Sequence, residues 1–337
     1  MRDTVGPSIL RPVDPTRSPR RRAIYEVAAA TGPRSPNRGG ALIAAYAKAF
    51  ATVCLAFGTA TCSGARGTGE ATPDATSEVA AAAALVSAFT GASGEWVDLT
   101  YSFSESTTYW PTADGFQLDT VAFGTVDAGY FYSAFNFSSA EHGGTHLDAP
   151  VHFAEGHLAA DEIPLHRLIG PAVVVDVQDR VRPTSANADA DYLVTAEDLQ
   201  TWEAVHGRLP DGAILLLRTG WGSRYGDPTA YLGTELTGPD AVPELHFPGL
   251  DPDAARWLVG ERAIAAFGID TPSIDYGQSA LFETHQVIYG ADIPGFENVA
   301  NLETLPPTGS FVVALPMKIE GGSGAPLRIV AFVPEGT

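Results

Sequence analysis

The chain has 337 residues and sets 20 Lys and Arg against 40 Asp and Glu, a formal net charge of −20. A surface this acidic repels nucleic acid and anionic lipid, so neither is an expected partner. Its two cysteines, Cys54 and Cys62, both lie early, which leaves residues 95–337 without a disulfide, a thiolate nucleophile or a cysteine-based zinc site.

The first ninety-odd residues do not read as a folded domain. Arg17, Arg20, Arg21, Arg22, Arg34 and Arg38 punctuate a stretch containing Pro, Ser and Gly, and an apolar run at 49–60 follows Lys48. Basic, then apolar, then small residues is the order of an export signal. Residues 1–62 are therefore expected to be a signal-like segment of an exported protein (periplasmic, secreted or a lipoprotein). The alternative is a disordered basic tail on a cytoplasmic protein. The apolar run is too short for a membrane span. Thr-Ala-Thr-Cys at 59–62 partly resembles a lipoprotein processing site, making Cys62 a candidate lipid anchor, although the usual leucine three residues before the cysteine is missing. Residues 63–94, rich in Ala, Gly, Thr and Ser, read as a flexible linker.

The folded domain is expected over 95–337, ample for one core. WVDLT at 96–100 predicts an opening strand. The following loop carries Tyr109, Trp110, Pro111 and Phe116, which either plug the edge of the core or form a flap walling a pocket. The aromatic and small residues of 123–137 predict a hairpin. Runs at 169–177, 212–217 and 263–269, apolar without alternation, predict buried strands. Thr195 with Asp198 opens a helix as a capping box, and Asp251 with Pro252 opens another. A short helix over 281–289 carries His285, and strands at 311–316 and 327–333 close the chain. Buried strands alternating with helices predict α/β, and the closing pair makes the sheet mixed.

The chemistry concentrates in EHGGTHLDAPVHF at 141–153, where His142, His146, Asp148 and His152 fall within eleven residues. A straight strand would spread these four over roughly 30 Å, at about 3.3 Å per residue. Ligands of one metal must converge, so the chain has to curl. Gly143 and Gly144 permit unusual backbone angles, and Pro150 stops a helix running through. Imidazole and carboxylate without thiolate suit a hydrolytic zinc, manganese or ferrous site. A polar loop whose histidines cap backbone groups is the bland alternative. His285 and Glu297, twelve residues apart after the third buried strand, are candidates to meet this loop. His157, His166, His206 and His246 have no spacing partners, with His246 in its Pro-rich loop the first exception to consider.

HGGTHLDAPVHF resembles the signature HxGTHxDxPxHF of the metal-dependent cyclase family, which includes bacterial kynurenine formamidases and isatin hydrolases. The resemblance continues through DLT, YWP, GIDTPSID, PGFENVANL and ALPMKIEGGSGAPLRIVAF, covering essentially all of 95–337. It implies a single swivelling-type α/β domain, assembled into a homodimer or higher homo-oligomer. It also implies that His142, His146 and Asp148 hold one divalent metal, and that Asp148, His285 and Glu297 approach or hold a second, zinc or manganese in either case. His152 is implied as the proton-handling residue, or else as a further ligand. The activity implied is hydrolysis of a C–N bond in a small aromatic amide, most like kynurenine formamidase. Isatin-type ring opening, a polyketide-type cyclase or dehydratase, and a non-catalytic exported metal-binding protein are the alternatives. Trp110 and Trp221 are candidates to stack on the substrate, or core tryptophans. The export-like start sits badly with tryptophan catabolism, whose intermediates are cytoplasmic.

Overall fold

Val173, Val175, Leu215 and Leu217 face one buried cluster, while Val174, Ile214 and Leu216 between them face another. A strand turns alternate side chains to opposite faces, so runs that are apolar throughout belong to a sheet covered on both sides. The computed structural model describes residues 93–181 and 190–336, with positions 86, 87, 90 and 91. The export-like segment, Cys54, Cys62 and nearly all of the expected linker lie outside the described residues. Among those described, no helix is long and apolar enough to cross a membrane.

Twelve strands are described. In chain order they are β1 (Gly94–Asp98), β2 (Gln117–Thr125), β3 (Phe131–Ser138), β4 (His146–Asp148), β5 (Ile169–Asp176), β6 (Leu193–Val194), β7 (Ile214–Arg218), β8 (Gly249–Leu250), β9 (Ala266–Ile269), β10 (Gly295–Glu297), β11 (Ser310–Pro316) and β12 (Gly324–Pro334). The main sheet runs β1-β12-β11-β5-β7-β9-β10-β4, and β4 pairs back onto β12. Seven strands thus close into a barrel, with β1 added beside the far end of β12. Strands β5, β7, β9 and β10 are parallel and the remaining pairings in this sheet antiparallel. The mixed α/β sheet expected from the sequence is present, and it is closed.

Closure leaves an inside and an outside. Leu147, Val174, Leu216, Phe296, Val312 and Ile329 belong to the inner cluster. Emptying one such position, as in Phe296→Ala, would cost about 3–5 kcal/mol. The outer face is covered by α1 (Ala196–His206), α2 (Pro252–Glu261) and α3 (Glu283–Tyr289), through residues such as Leu199, Leu258 and Ile288. The predicted caps are present. Thr195 Oγ1 accepts from the Asp198 amide at 3.3 Å while the Thr195 amide donates to Asp198 at 2.9 Å. Asp251 accepts from the amides of Asp253 and Ala254 ahead of Pro252. Strands β2 and β3 form the predicted hairpin, a two-stranded sheet separate from the barrel.

Candidate functional site

Strand β4 is three residues long and lies between two partners. Glu297 of β10 is opposite His146 and Gly295 opposite Asp148, while on the β12 side Gly324 is opposite Asp148. Alternation sends Leu147 and Phe296 into the barrel, so His146, Asp148 and Glu297 project together to its outer side. Strand register, more than loop curvature, therefore assembles this half of the site.

The curl expected before β4 is also present. Gly144 takes φ +55°, a left-handed conformation, and the His142 ring comes to rest 5.4 Å from that of His146 at 86°. Gly324 makes the room: a Cβ there would lie 2.5 Å from His142 Cε1. Helix α3 brings in His285 from the other side.

The structure thus brings five predicted residues together. His142 Nδ1 lies 2.7 Å from Asp148 Oδ1, and His146 Nε2 lies 3.1 Å from the same oxygen and 3.4 Å from Glu297 Oε2. His285 Nε2 lies 3.5 Å from Asp148 Oδ2 and 3.3 Å from Glu297 Oε1. The donors fall into two sets that share Asp148, namely His142, His146 and Asp148, and then Asp148, His285 and Glu297.

Each imidazole is held from behind. His146 Nδ1 donates to the Gly144 carbonyl at 3.0 Å, His285 Nδ1 donates to Asp275 at 2.5 Å, and His142 Nε2 is 2.9 Å from Ser323 Oγ. The remaining nitrogen of each ring is left facing the carboxylates, which is how metal-ligating histidines are oriented. His146 Nε2 is buried yet makes no hydrogen bond, despite its two carboxylate neighbours.

The electrostatics call for positive charge. Burial opposes protonation of His146, yet Asp148 and Glu297 outweigh it and hold the ring up at about 9. Burial likewise opposes protonation of His285, which Asp148, Asp275 and Glu297 nonetheless lift well above its ordinary value. Burial would raise Asp148, but His142, His146 and His285 keep it well below the usual carboxylate range. Glu297 is pushed up by burial and by Asp148. The residues fit a divalent cation: three imidazoles and two carboxylates, all buried but the partly buried His142, with an unpartnered ring nitrogen aimed into the cluster.

This cluster lines one side of a cavity of about 290 Å³ whose lining also includes Trp110, Phe153 and Phe282. Trp110 and Phe282 meet edge-on at 6.1 Å, and Phe282 lies 5.4 Å from Phe153. Of the two readings of the 109–116 loop, its first part is pocket wall: Tyr109 bridges to Gly143 and Trp110 faces the cavity. Phe116 instead stacks on Phe137 of the hairpin. His152 follows β4 on a 3-10 turn, stacks on His142 at 3.9 Å and also lines the cavity. Burial pushes its pKa down to about 4, which leaves the ring neutral near pH 7.

Trp221 is not brought to the cavity. It is buried in the core, its Nε1 donates to the Tyr231 carbonyl at 2.8 Å, and Arg224 covers its ring. His246 Nδ1 lies 2.8 Å from Asp191 and His157 Nδ1 3.0 Å from Asp292, away from the cavity, and His206 packs against Trp202. Sequence reasoning missed Tyr289, which donates to Asp148 at 2.9 Å, and Asp275 behind His285. Asp275 sits within GIDTPSID, a run that signalled resemblance without indicating a role. For Tyr289 the only local signal is its position one helical turn after His285.

The fold and these side chains define an α/β enzyme whose cavity ends on a set of groups suited to a cation. The sequence model of the family described as "Putative cyclase" matches residues 97–276. An isatin hydrolase of Roseibium aggregatum is 36% identical over 203 residues, covering 58% of this chain and 73% of that one. A kynurenine formamidase of Salinibacter ruber is 31% identical over 240 residues, covering 69% of this chain and 95% of that one. The solved structure of isatin hydrolase A from Ralstonia solanacearum superposes with a TM-score of 0.64 at 36% identity, over 80% of this chain and 100% of that one. The chain belongs to the cyclase family, and like these relatives it is a hydrolase.

Proposed function

We propose that the protein is a metal-dependent hydrolase that opens a cyclic aromatic amide of the isatin type. The observation that carries this is the 36% identity to isatin hydrolases in both sequence and structure, set against 31% for the formamidase. The formamide suggested first by the signature becomes the second reading. A cavity near the lower end of ligand-pocket sizes, with an aromatic wall, suits a flat bicyclic amide.

His142, His146 and Asp148 would hold one cation, zinc or manganese, and Asp148, His285 and Glu297 are arranged to approach or hold a second. A metal held there would supply polarisation of the amide carbonyl and a lowered pKa for water. Trp110, Phe153 and Phe282 hold the ring and exclude bulk water. Neutral His152 takes a proton from the attacking water as its oxygen bonds to the carbonyl carbon. As the C–N bond breaks, His152 returns that proton to the leaving nitrogen. Helix α3 keeps His285 and Tyr289 against Asp148, fixing its orientation throughout.

The test is the initial rate on isatin and on N-formyl-kynurenine, using the full chain stripped with chelator and reloaded with zinc or with manganese. Metal-dependent opening of isatin, lost in His152→Ala with metal uptake intact, is the expected result. Turnover of the formamide alone would promote the second reading. Metal uptake with no turnover of either would leave a cyclase or a plain metal binder.

The hairpin supports homo-oligomeric assembly, because it exposes a row of large apolar side chains. Export is inferred from the N-terminal pattern alone, and N-terminal sequencing of the mature protein tests it.

A further inference from the structure

We propose that Glu141 and Ser323 are positioning residues that decide which nitrogen of His142 carries its proton, leaving Nδ1 bare towards the cluster. In doing so they tune the cation affinity of the His142, His146 and Asp148 set apart from that of the Asp148, His285 and Glu297 set. The inference rests on the metal-dependent reading above.

The argument is one of counting protons. The Ser323 amide and hydroxyl both donate to Glu141 Oε2, at 3.0 and 2.6 Å. A carboxylate can only accept, and a serine hydroxyl has a single proton to give. Ser323 Oγ, 2.9 Å from His142 Nε2, must therefore accept from an Nε2–H. With its proton on Nε2, the neutral ring presents the Nδ1 lone pair to Asp148 Oδ1, 2.7 Å away. Where the ring is neutral, as a cation-binding imidazole must be, two lone pairs meet across that gap, an arrangement that a cation among them would stabilise.

The other two histidines have rear partners that cannot donate, a backbone carbonyl for His146 and a carboxylate for His285. For His142 the partner is a hydroxyl, which could donate as well as accept. Glu141 removes that freedom. Without it Ser323 could donate to Nε2, which would put the ring proton on Nδ1 and aim it at the cation. The turn is shaped for the contact: the Ser323 carbonyl accepts from the Ala149 amide at 2.9 Å, and a Cβ on Gly322 would lie 2.9 Å from Glu141 Oε1.

The experiment is calorimetric titration of chelator-stripped full chain with zinc, following the ion whose uptake His142→Ala abolishes. Ser323→Ala is expected to weaken that ion about 10- to 100-fold, the usual effect of losing such an outer hydrogen bond. Any second ion should stay unchanged. Glu141→Ala should weaken the same ion, and Ser323→Thr, which keeps the hydroxyl, should bind as wild type. Thermal melts of the stripped variants separate this from misfolding. Wild-type affinity in a normally melting Ser323→Ala would overturn the proposal, as would equal weakening of every ion together with a lowered melting point. A wild type that takes up no zinc at all would instead overturn the metal-dependent reading on which the proposal stands.

Discussion

The hairpin β2–β3 and the histidine loop at 141–153 adjoin in sequence and invert the ordinary distribution of residues in opposite senses. In the loop, polar groups are inside: His146 is 2% exposed and Asp148 1%. In the hairpin, apolar groups are outside, with Phe123 71%, Phe131 60% and Val121 59% exposed. A buried charge and an exposed apolar patch are the two departures that carry information, since singly exposed apolar residues are common. Each names what stabilises it. The loop calls for positive charge among its carboxylates, and the hairpin calls for apolar surface.

The hairpin's patch has the size that the homo-oligomer proposed above would need. A lone two-stranded hairpin is marginal in water, and this one pairs with no other strand among the described residues. It is anchored at its base by Phe116 stacking on Phe137, and towards its tip Phe123 meets Phe131 edge-on at 5.3 Å. Its exposed Leu, Val, Phe and Tyr side chains present roughly 900 Å² of surface, taking about 150–250 Å² for each aromatic ring. A standard interface buries about 800 Å² per partner. A second copy of the chain, offering the same hairpin as in the assembly proposed above, would match that need.

The sharpest way to break the comparison is to remove one buried charge. His146→Ala should lower kcat/KM about a thousandfold or more, the several kcal/mol that a polarising cation supplies. Assembly should be unaffected in sedimentation velocity. If activity survives, the buried cluster is structural and the inversion has no chemical meaning.

The reciprocal experiment charges the apolar surface. Phe123→Asp combined with Phe131→Asp should raise the dissociation constant of the assembly at least about 100-fold, or about 3 kcal/mol. Zinc uptake by the same variant should match wild type. A variant that sediments as wild type would show that the hairpin's apolar faces meet something other than another copy.

A third change acts on the loop's support. Asp275→Asn weakens the acceptor behind His285 Nδ1 while leaving the site's volume intact. Metal affinity should fall about tenfold. The loss should appear in the set containing His285 and Glu297, which calorimetry resolves from the His142 set.

What could be read from the sequence follows the length of each signal. Strands β5 and β7 were legible because their apolar runs fit only a doubly covered sheet, and α1 and α2 because Thr195 and Asp251 announce their caps. Strands β4 and β10 were not, since three residues carry no period, although their register is what sets Glu297 against His146. That His142, His146, Asp148, His285 and Glu297 come together was legible from residue chemistry and family signature together. Tyr289 and Ser323 were not, because their contacts with Asp148 and His142 span 141 and 181 residues. Trp221, which follows a strand end, was open between pocket and core on sequence alone, and its ring turns into the core. The hairpin itself was expected. Its exposure was not, because aromatic residues mixed with Asp119, Ser133 and Asn136 give no sign of which face is covered.

A reference point for both inversions is a charge pair placed where charges ordinarily are. Glu203 on α1 accepts from Arg262 Nε and Nη2 at 2.7 and 2.6 Å, near the surface. Those hydrogen bonds hold Glu203 below its ordinary pKa despite partial burial. Because the folded value lies below the unfolded one of about 4.3, the stabilisation is complete above that pH and is lost as pH falls through the folded value. Arg262→Ala should cost about 1 kcal/mol at pH 7 in urea melts. The gap from wild type should narrow near pH 3. Arg262 also covers the Trp257 ring at 4.2 Å, so a gap of equal size at both pH values would assign the cost to that packing instead. In either case zinc uptake and assembly should not move, which separates an ordinary surface pair from the two regions whose inversion calls for a partner.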